Sequence, residues 1–189
     1  MSQQKVLVLV GDAAEELDAM YPIYRLREAG YVADVAALTR RDVQLVIHDF
    51  DPNSDAYTEK NGRKLPVDVT FAEVDPADYV ALVIPGGRAP EYIRADADVR
   101  RITEYFFERD LPVGHMCHGV QVPAVYGYIR GRKVSAFPPL QPDIEAAGGE
   151  FVEGPDVVDG NMVSATGWPD LAEFCKAFLE LLDRAAVPT

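Results

Sequence analysis

Positive charge is scarce in this chain: 18 lysines and arginines face 31 aspartates and glutamates, giving a formal net charge of −13. A surface that acidic repels phosphate backbones, which argues against a nucleic-acid partner and fits simple solubility. Long hydrophobic stretches are missing too. Runs such as Val6 to Val10 have the length of a strand, far short of the roughly 20 residues that a spanning helix needs. No membrane association is expected. Met1 to Lys5 lead straight into that first run, without the layout of a secretory signal. Cysteine is equally sparse, with only Cys117 and Cys175. Two thiols make no disulfide framework, and together with the missing signal they point to a reducing, cytoplasmic setting. There is no C-x-x-C pair, no zinc-finger spacing, no internal repeat and no low-complexity tail. What remains is an ordinary globular composition, 48% apolar and 26% charged over 189 residues. That suits one domain, residues 1–189, with a full core.

The residues that are present alternate between two periodicities. Lys5 to Val10 is a continuous apolar run, the mark of a strand buried on both faces. A helix is expected from Asp18 to Ala29, with Pro22 near its first turn and Gly30 as terminator. Val32 to Leu38 and Tyr79 to Pro85 repeat the strand pattern. A helix over 97–109, capped by Asp96, places Val99, Ile102, Thr103 and Phe106 on one face. Pro112 to Met116 and Lys133 to Phe137 are further strands, and Pro142 to Ala147 is a short helix closed by Gly148-Gly149. Asp159-Gly160 signals a type I′ hairpin. A last helix, 170–185, turns Leu171, Phe174, Cys175, Phe178, Leu181 and Leu182 inward. The segment 40–69 breaks this rhythm. Val43 to Ile47 reads as a strand, Asn61-Gly62 as a hairpin turn, and the polar stretch between them as part of a β-excursion near the site or an interface.

Strands alternating with helices imply an α/β fold, a three-layer sandwich around a mostly parallel, doubly wound, flavodoxin-like sheet. Ligands bind beyond the C-terminal ends of such strands. Gly11-Asp12, Pro85-Gly86-Gly87 and Met116-Cys117 therefore share one rim. Gly114-His-Met-Cys-His-Gly119 is the stretch that carries chemistry. A cysteine between a buried strand and a helix occupies a nucleophile elbow. There the helix N-terminus is expected to lower its pKa, and backbone N–H groups can bind an oxyanion. The opposite reading of Cys117 is a buried structural thiol, and that reading fits Cys175, which lies on the apolar stripe of the last helix. His115, Cys117 and His118 could suggest a metal, but ligands from one short segment rarely converge and no distant partner stands out, so no metal is expected. His48 reads as an ordinary loop histidine. Gly86-Gly87 is too short for a phosphate fingerprint, so no nucleotide or other cofactor is implied.

Cys117-His118-Gly119 after a short strand, Pro85-Gly86-Gly87 extended by Arg88-Ala89-Pro90-Glu91, Glu15 before Tyr21-Pro22, Gly131-Arg132-Lys133 and Val157-Val158-Asp159-Gly160-Asn161 occur together. In this combination the chain resembles the ThiJ/PfpI family, in its PfpI-like branch, over almost its whole length. The resemblance implies Cys117 as nucleophile, Glu15 as a carboxyl group that hydrogen-bonds its sulfur while protonated, and His118 as base or acid. It further implies that Glu91 of a neighbouring subunit orients His118, making the protein a homodimer or higher homo-oligomer with the site near the interface. The N–H groups of Gly87 and His118 are the implied oxyanion donors, beside Gly86. Arg88 fits an interface ion pair as well as a substrate contact, Glu91 also fits a solvated loop charge, and Glu15 also fits a helix N-terminal carboxylate. His115 replaces a small or apolar residue, Val120 stands where proline is common, and Ser164 to Trp168 lacks the family's frequent arginine. Trp168 could then line a more aromatic pocket.

The implied function is a cofactor-independent cysteine enzyme acting on a small carbonyl or amide electrophile, either glyoxalase III- or deglycase-like, or an intracellular cysteine peptidase. A redox-sensing or stress-response protein with an oxidisable Cys117 is the rival. A biosynthetic enzyme with an aromatic substrate, suggested by Trp168, Tyr126 and Tyr128, is a third reading.

Overall fold

The computed structural model describes residues 3–185. In chain order the elements are β1 (Lys5–Leu9), α1 (Glu16–Glu28), β2 (Val32–Ala37), β3 (Val43–Asp49), β4 (Thr58–Leu65), β5 (Val69–Thr70), β6 (Ala81–Ile84), α2 (Ala89–Ile93), α3 (Ala97–Glu108) and β7 (Val113–Met116). A 3₁₀ turn, Cys117–Val120, leads to α4 (Gln121–Val125), then β8 (Lys133–Val134), α5 (Gln141–Ala146), β9 (Glu150–Phe151), β10 (Val157–Asp159), β11 (Met162–Ala165) and α6 (Leu171–Ala185). Seven strands form one sheet in the order β10-β11-β7-β6-β1-β2-β5. Every pairing in it is parallel except that of the edge strand β10.

Alternation along β1 explains the layering. Val6 and Val8 join a buried cluster with Ile23 and Leu26 of α1 and Phe174 and Phe178 of α6. Leu7 and Leu9 face the other way, toward Val99, Ile102 and Phe106 of α3. The continuous apolar run is thus a strand covered on both sides. Asp96 caps α3 by accepting hydrogen bonds from the Asp98 and Val99 amides. The inward stripe of α6 is buried as its spacing predicts.

Several local expectations are corrected. α1 starts two residues earlier than expected, so Pro22 lies inside it rather than near its first turn, leaving the Asp18 carbonyl without its i+4 amide. Asn61-Gly62 is not a turn. It lies within β4, which pairs antiparallel with β3, and the connection is the loop 50–57. A side chain at Gly62 would overlap the Glu16 carboxylate, which accepts bonds from the Arg63 backbone amide and guanidinium and ties the excursion to α1. The expected strand 133–137 shrinks to the two residues of β8, paired with β9 outside the main sheet. The hairpin loop between β10 and β11 is Gly160-Asn161, and of these only Gly160 has positive φ, +56°. It is therefore not a type I′ turn, which needs positive φ at both central residues.

One contact sets how closely the rim can pack. A Cβ on Gly119 would overlap the Ile84 carbonyl oxygen at the end of β6. Gly119→Ala should destabilise the fold by about 1–3 kcal/mol, lowering the thermal midpoint by about 2–4 °C per kcal/mol. An unchanged midpoint by calorimetry would contradict this packing.

Candidate active site

β1, β6 and β7 run parallel, so their C-terminal ends open on one rim. Cys117 is the first residue past β7 and has φ of +52°. For a residue with a side chain this left-handed conformation costs about 1–3 kcal/mol and persists only where the surroundings enforce it. The β6 loop makes the room. A Cβ on Gly86 would lie 2.5 Å from Cys117 Cβ and 2.6 Å from Asp18 Oδ2. Gly87, at φ +78°, passes so close to the segment before α1 that a side chain there would overlap Ala13 and Glu15 backbone. Three loops thus meet in near-backbone contact, and the turn presents the thiol at the sheet rim.

Around the sulfur, His118 Nδ1 lies 3.2 Å from Cys117 Sγ. The backbone N–H groups of Gly87 and His118 lie near enough to the sulfur to favour its ionised form. Glu15, almost fully buried, caps α1 by accepting from the Asp18 amide at 2.8 Å and lines the same cavity as Cys117. It therefore occupies both places that the sequence left open, helix cap and site wall. Asp18, one helical turn further on, was not anticipated. Its Oδ2 accepts from the Gly86 amide at 3.2 Å, and its buried Oδ1 has no partner. The signal was available, because residues at i and i+3 share a helix face.

The electrostatics correct one expectation. A thiolate stabilised by the elbow predicts a low pKa for Cys117, but burial pushes this thiol up, the Asp18 and Glu15 charges add to the rise, and the two backbone N–H groups offset only part of it. The physical reason is desolvation of the charged form in a site about nine-tenths closed to water, since Cys117 is 8% exposed. Asp18 is itself raised well above the usual carboxyl range, by burial first and by Glu15 second, and burial raises Glu15 as well. His118 is lowered to about 4, chiefly by burial. The resting pair is accordingly a neutral thiol beside a neutral imidazole.

The cavity holds about 300 Å³, with Glu15, His48, Cys117 and His118 at its inner end. His48 is no ordinary loop residue. It is buried on β3, directly across from Glu59 of β4, and its Nε2 lies 2.9 Å from Glu59 Oε2. Glu59 in turn accepts from Arg88 Nε and Nη2 at 2.7 and 2.6 Å, which holds its carboxyl near 2. Arg88 thus points into an ion pair with the excursion. Glu91 lies exposed on α2 and is not among the residues lining this cavity. Trp168 lines it, together with Phe50, Tyr57 and Phe137. Tyr126 and Tyr128 do not: one donates to the Arg94 carbonyl and the other stacks on Phe107. His115 is buried with its Nε2 3.3 Å from Met162 Sδ, apart from the cavity. Among the described residues, no cluster of three or more His, Cys, Asp or Glu is placed to hold a metal ion, and no helix is long and apolar enough to cross a membrane.

Two thiols this different should react differently. Iodoacetamide should label Cys117, which faces the cavity, well before Cys175, whose side chain packs in the core. Because the Cys117 thiol is shifted upward, its labelling rate should keep climbing beyond the free-cysteine value of about 8.5. Mass spectrometry across a pH series checks both statements, and a rate that levels off below that value contradicts the upward shift.

Comparison with known proteins bears on the family and the fold. The DJ-1/PfpI family model matches residues 4–181. A deglycase of Thermococcus kodakarensis is 37% identical over 178 residues, covering 94% of this chain and 99% of its own. The deglycase PfpI of Pyrococcus furiosus is 34% identical over 178 residues, again 94% and 99% of the two chains. Among solved structures, a two-domain protein of Anabaena variabilis with DJ-1/ThiJ/PfpI-like and ferritin-like domains superposes with a TM-score of 0.82 at 26% identity, over 99% of this chain and 50% of that one. With a match of this extent and a sheet and rim of this design, the chain belongs to the DJ-1/PfpI family.

Proposed function

We propose that this protein is a cofactor-independent enzyme in which Cys117 attacks the carbonyl carbon of a small 2-oxoaldehyde and converts it to the 2-hydroxy acid. The observation that carries the reading is the 3.2 Å approach of His118 Nδ1 to Cys117 Sγ, both buried, at the wall of a cavity. A neutral imidazole is the right partner for a neutral thiol. It takes the sulfur proton as the C–S bond forms, so no free thiolate has to be stored in the desolvated site. The carbonyl oxygen that gains charge is then held by the Gly87 and His118 amides. A proton moves from the aldehyde carbon to the neighbouring carbonyl carbon, leaving a thioester, and water releases the acid and restores the thiol. Glu15 and Asp18, both with raised carboxyl pKa values, are suited to hold and return protons along this path.

Two relatives named deglycases support an enzymatic reading. A compact cavity of about 300 Å³ favours a small substrate over a peptide, which needs an extended groove. The upward-shifted thiol disfavours the rival redox sensor, because peroxide reacts with the thiolate. The two free thiols and the absence of a spanning helix among the described residues fit a cytoplasmic enzyme.

Turnover of methylglyoxal to lactate is the test. Cys117→Ala should abolish it, and His118→Ala should reduce it by about 10²–10⁴-fold. The base is lost as His118 protonates, so kcat/KM should fall only as pH drops through about 4. An acid limb near the ordinary histidine value of about 6.5 would count against His118 as the base.

Assembly belongs to the same proposal. Leu17, Tyr21 and Tyr24 are 49%, 40% and 58% exposed and lie on one face of α1, an apolar stripe suited to a second copy. A homo-oligomer would also let the exposed Glu91 reach a neighbour's site. Light scattering should give at least twice the 20.8 kDa chain mass. A monomer with full activity rules out a Glu91 contribution across an interface.

A further inference from the structure

The inner end of the cavity accounts for the chemistry, but its outer walls are larger than methylglyoxal requires. Phe50 lies nearly parallel to Trp168, with centroids 6.0 Å apart at 27°, and to Phe137, at 6.2 Å and 22°. Phe137 in turn stacks on the His118 imidazole at 5.4 Å and 29°. A run of aromatic faces therefore leads from the cavity mouth to the ring beside the sulfur. Tyr57 closes one side, edge-on to both Phe137 and His118. These rings come from segments far apart in the chain, so their convergence is a property of the folded site and not of one aromatic stretch.

Two features make the wall a binding surface and not simply core. Phe50 is 54% exposed at the mouth, where a large apolar ring gains nothing from water. Phe137 and Trp168 are each followed directly by proline, whose fixed φ holds the backbone and lowers the ordering cost of binding. Charge narrows the choice further. No lysine or arginine lines the cavity, while Glu15 does, so no permanently cationic side chain is there to pair with a carboxylate or phosphate on the ligand's outer end. Size agrees as well. A dry apolar cavity of roughly 150 Å³ accepts benzene, and about 300 Å³ leaves room for a ring plus a two-carbon dicarbonyl group.

We infer that the cavity selects uncharged aromatic ligands, and that the substrate is an aryl 2-oxoaldehyde whose ring packs against Phe50, Phe137 and Trp168 while its aldehyde carbon meets Cys117 Sγ. The substrate half of this inference rests on the reaction proposed above; the binding half does not.

The test separates them. Trp168 is the only tryptophan in the chain, so its fluorescence reports cavity occupancy directly. In Cys117→Ala, acetophenone should change that fluorescence saturably, with acetone and benzoate at least tenfold weaker. In the unaltered enzyme, kcat/KM for phenylglyoxal should exceed that for methylglyoxal by tenfold or more, and Phe50→Ala should bring the ratio down toward one. Equal binding of acetone and acetophenone, or equal turnover of the two aldehydes, overturns the inference. Saturable acetophenone binding without turnover of either aldehyde upholds the aromatic cavity and removes the proposed reaction instead.

Discussion

Everything at the rim depends on one tight fit, the left-handed turn at Cys117 pressed against Gly86. The 2.5 Å that a Cβ on Gly86 would leave to Cys117 Cβ shows that the fit admits no side chain. Gly119 and Gly87 extend the same constraint to the end of β6 and to the segment before α1. The strain at φ +52° is sustained because β7 fixes the chain before the turn and the 3₁₀ turn packed on the end of β6 fixes it after. Its result is a sulfur that faces a cavity while its backbone lies in a sheet.

The closeness that builds the turn also sets the charge state. Packing Asp18, Glu15 and Cys117 into a nearly dry volume raises all three and lowers His118. Each shift favours the neutral form. Low dielectric makes the isolated thiolate costly, but it strengthens any hydrogen bond that appears as the reaction proceeds. In the proposed reaction such a site develops charge in the transition state and does not store it beforehand, a form of electrostatic preorganisation. The excursion contributes a second, separately held group, His48, whose ring is fixed by Glu59, itself held by Arg88.

The parts of the fold legible in the sequence are those that a single period determines. Val6 to Val10, the faces of α3 and α6 and the cap at Asp96 needed only local rules. The excursion resisted such reading because β4 is polar along nearly its whole length and is held by pairing with β3. Gly62 looked like a turn because glycine often marks one, yet here it is required by the Glu16 carboxylate beside it. His48 acquires meaning only through its cross-strand partner Glu59, a register that no spacing reveals. Cys117, Glu15 and His118 were visible through motif and resemblance, whereas the pKa direction was not, since it depends on burial that the motif does not encode. Trp168 was legible as a cavity residue, but its partners Phe50 and Phe137 lie in loops whose convergence is purely tertiary.

The most direct test of Cys117 as the nucleophile is a crystal structure of the protein trapped with a 2-oxoaldehyde on that residue. A C–S bond at Cys117 is expected, with the former carbonyl oxygen about 2.7–3.1 Å from the Gly87 and His118 amide nitrogens. An adduct whose oxygen points into solvent, or electron density on Cys175 with Cys117 untouched, would contradict it.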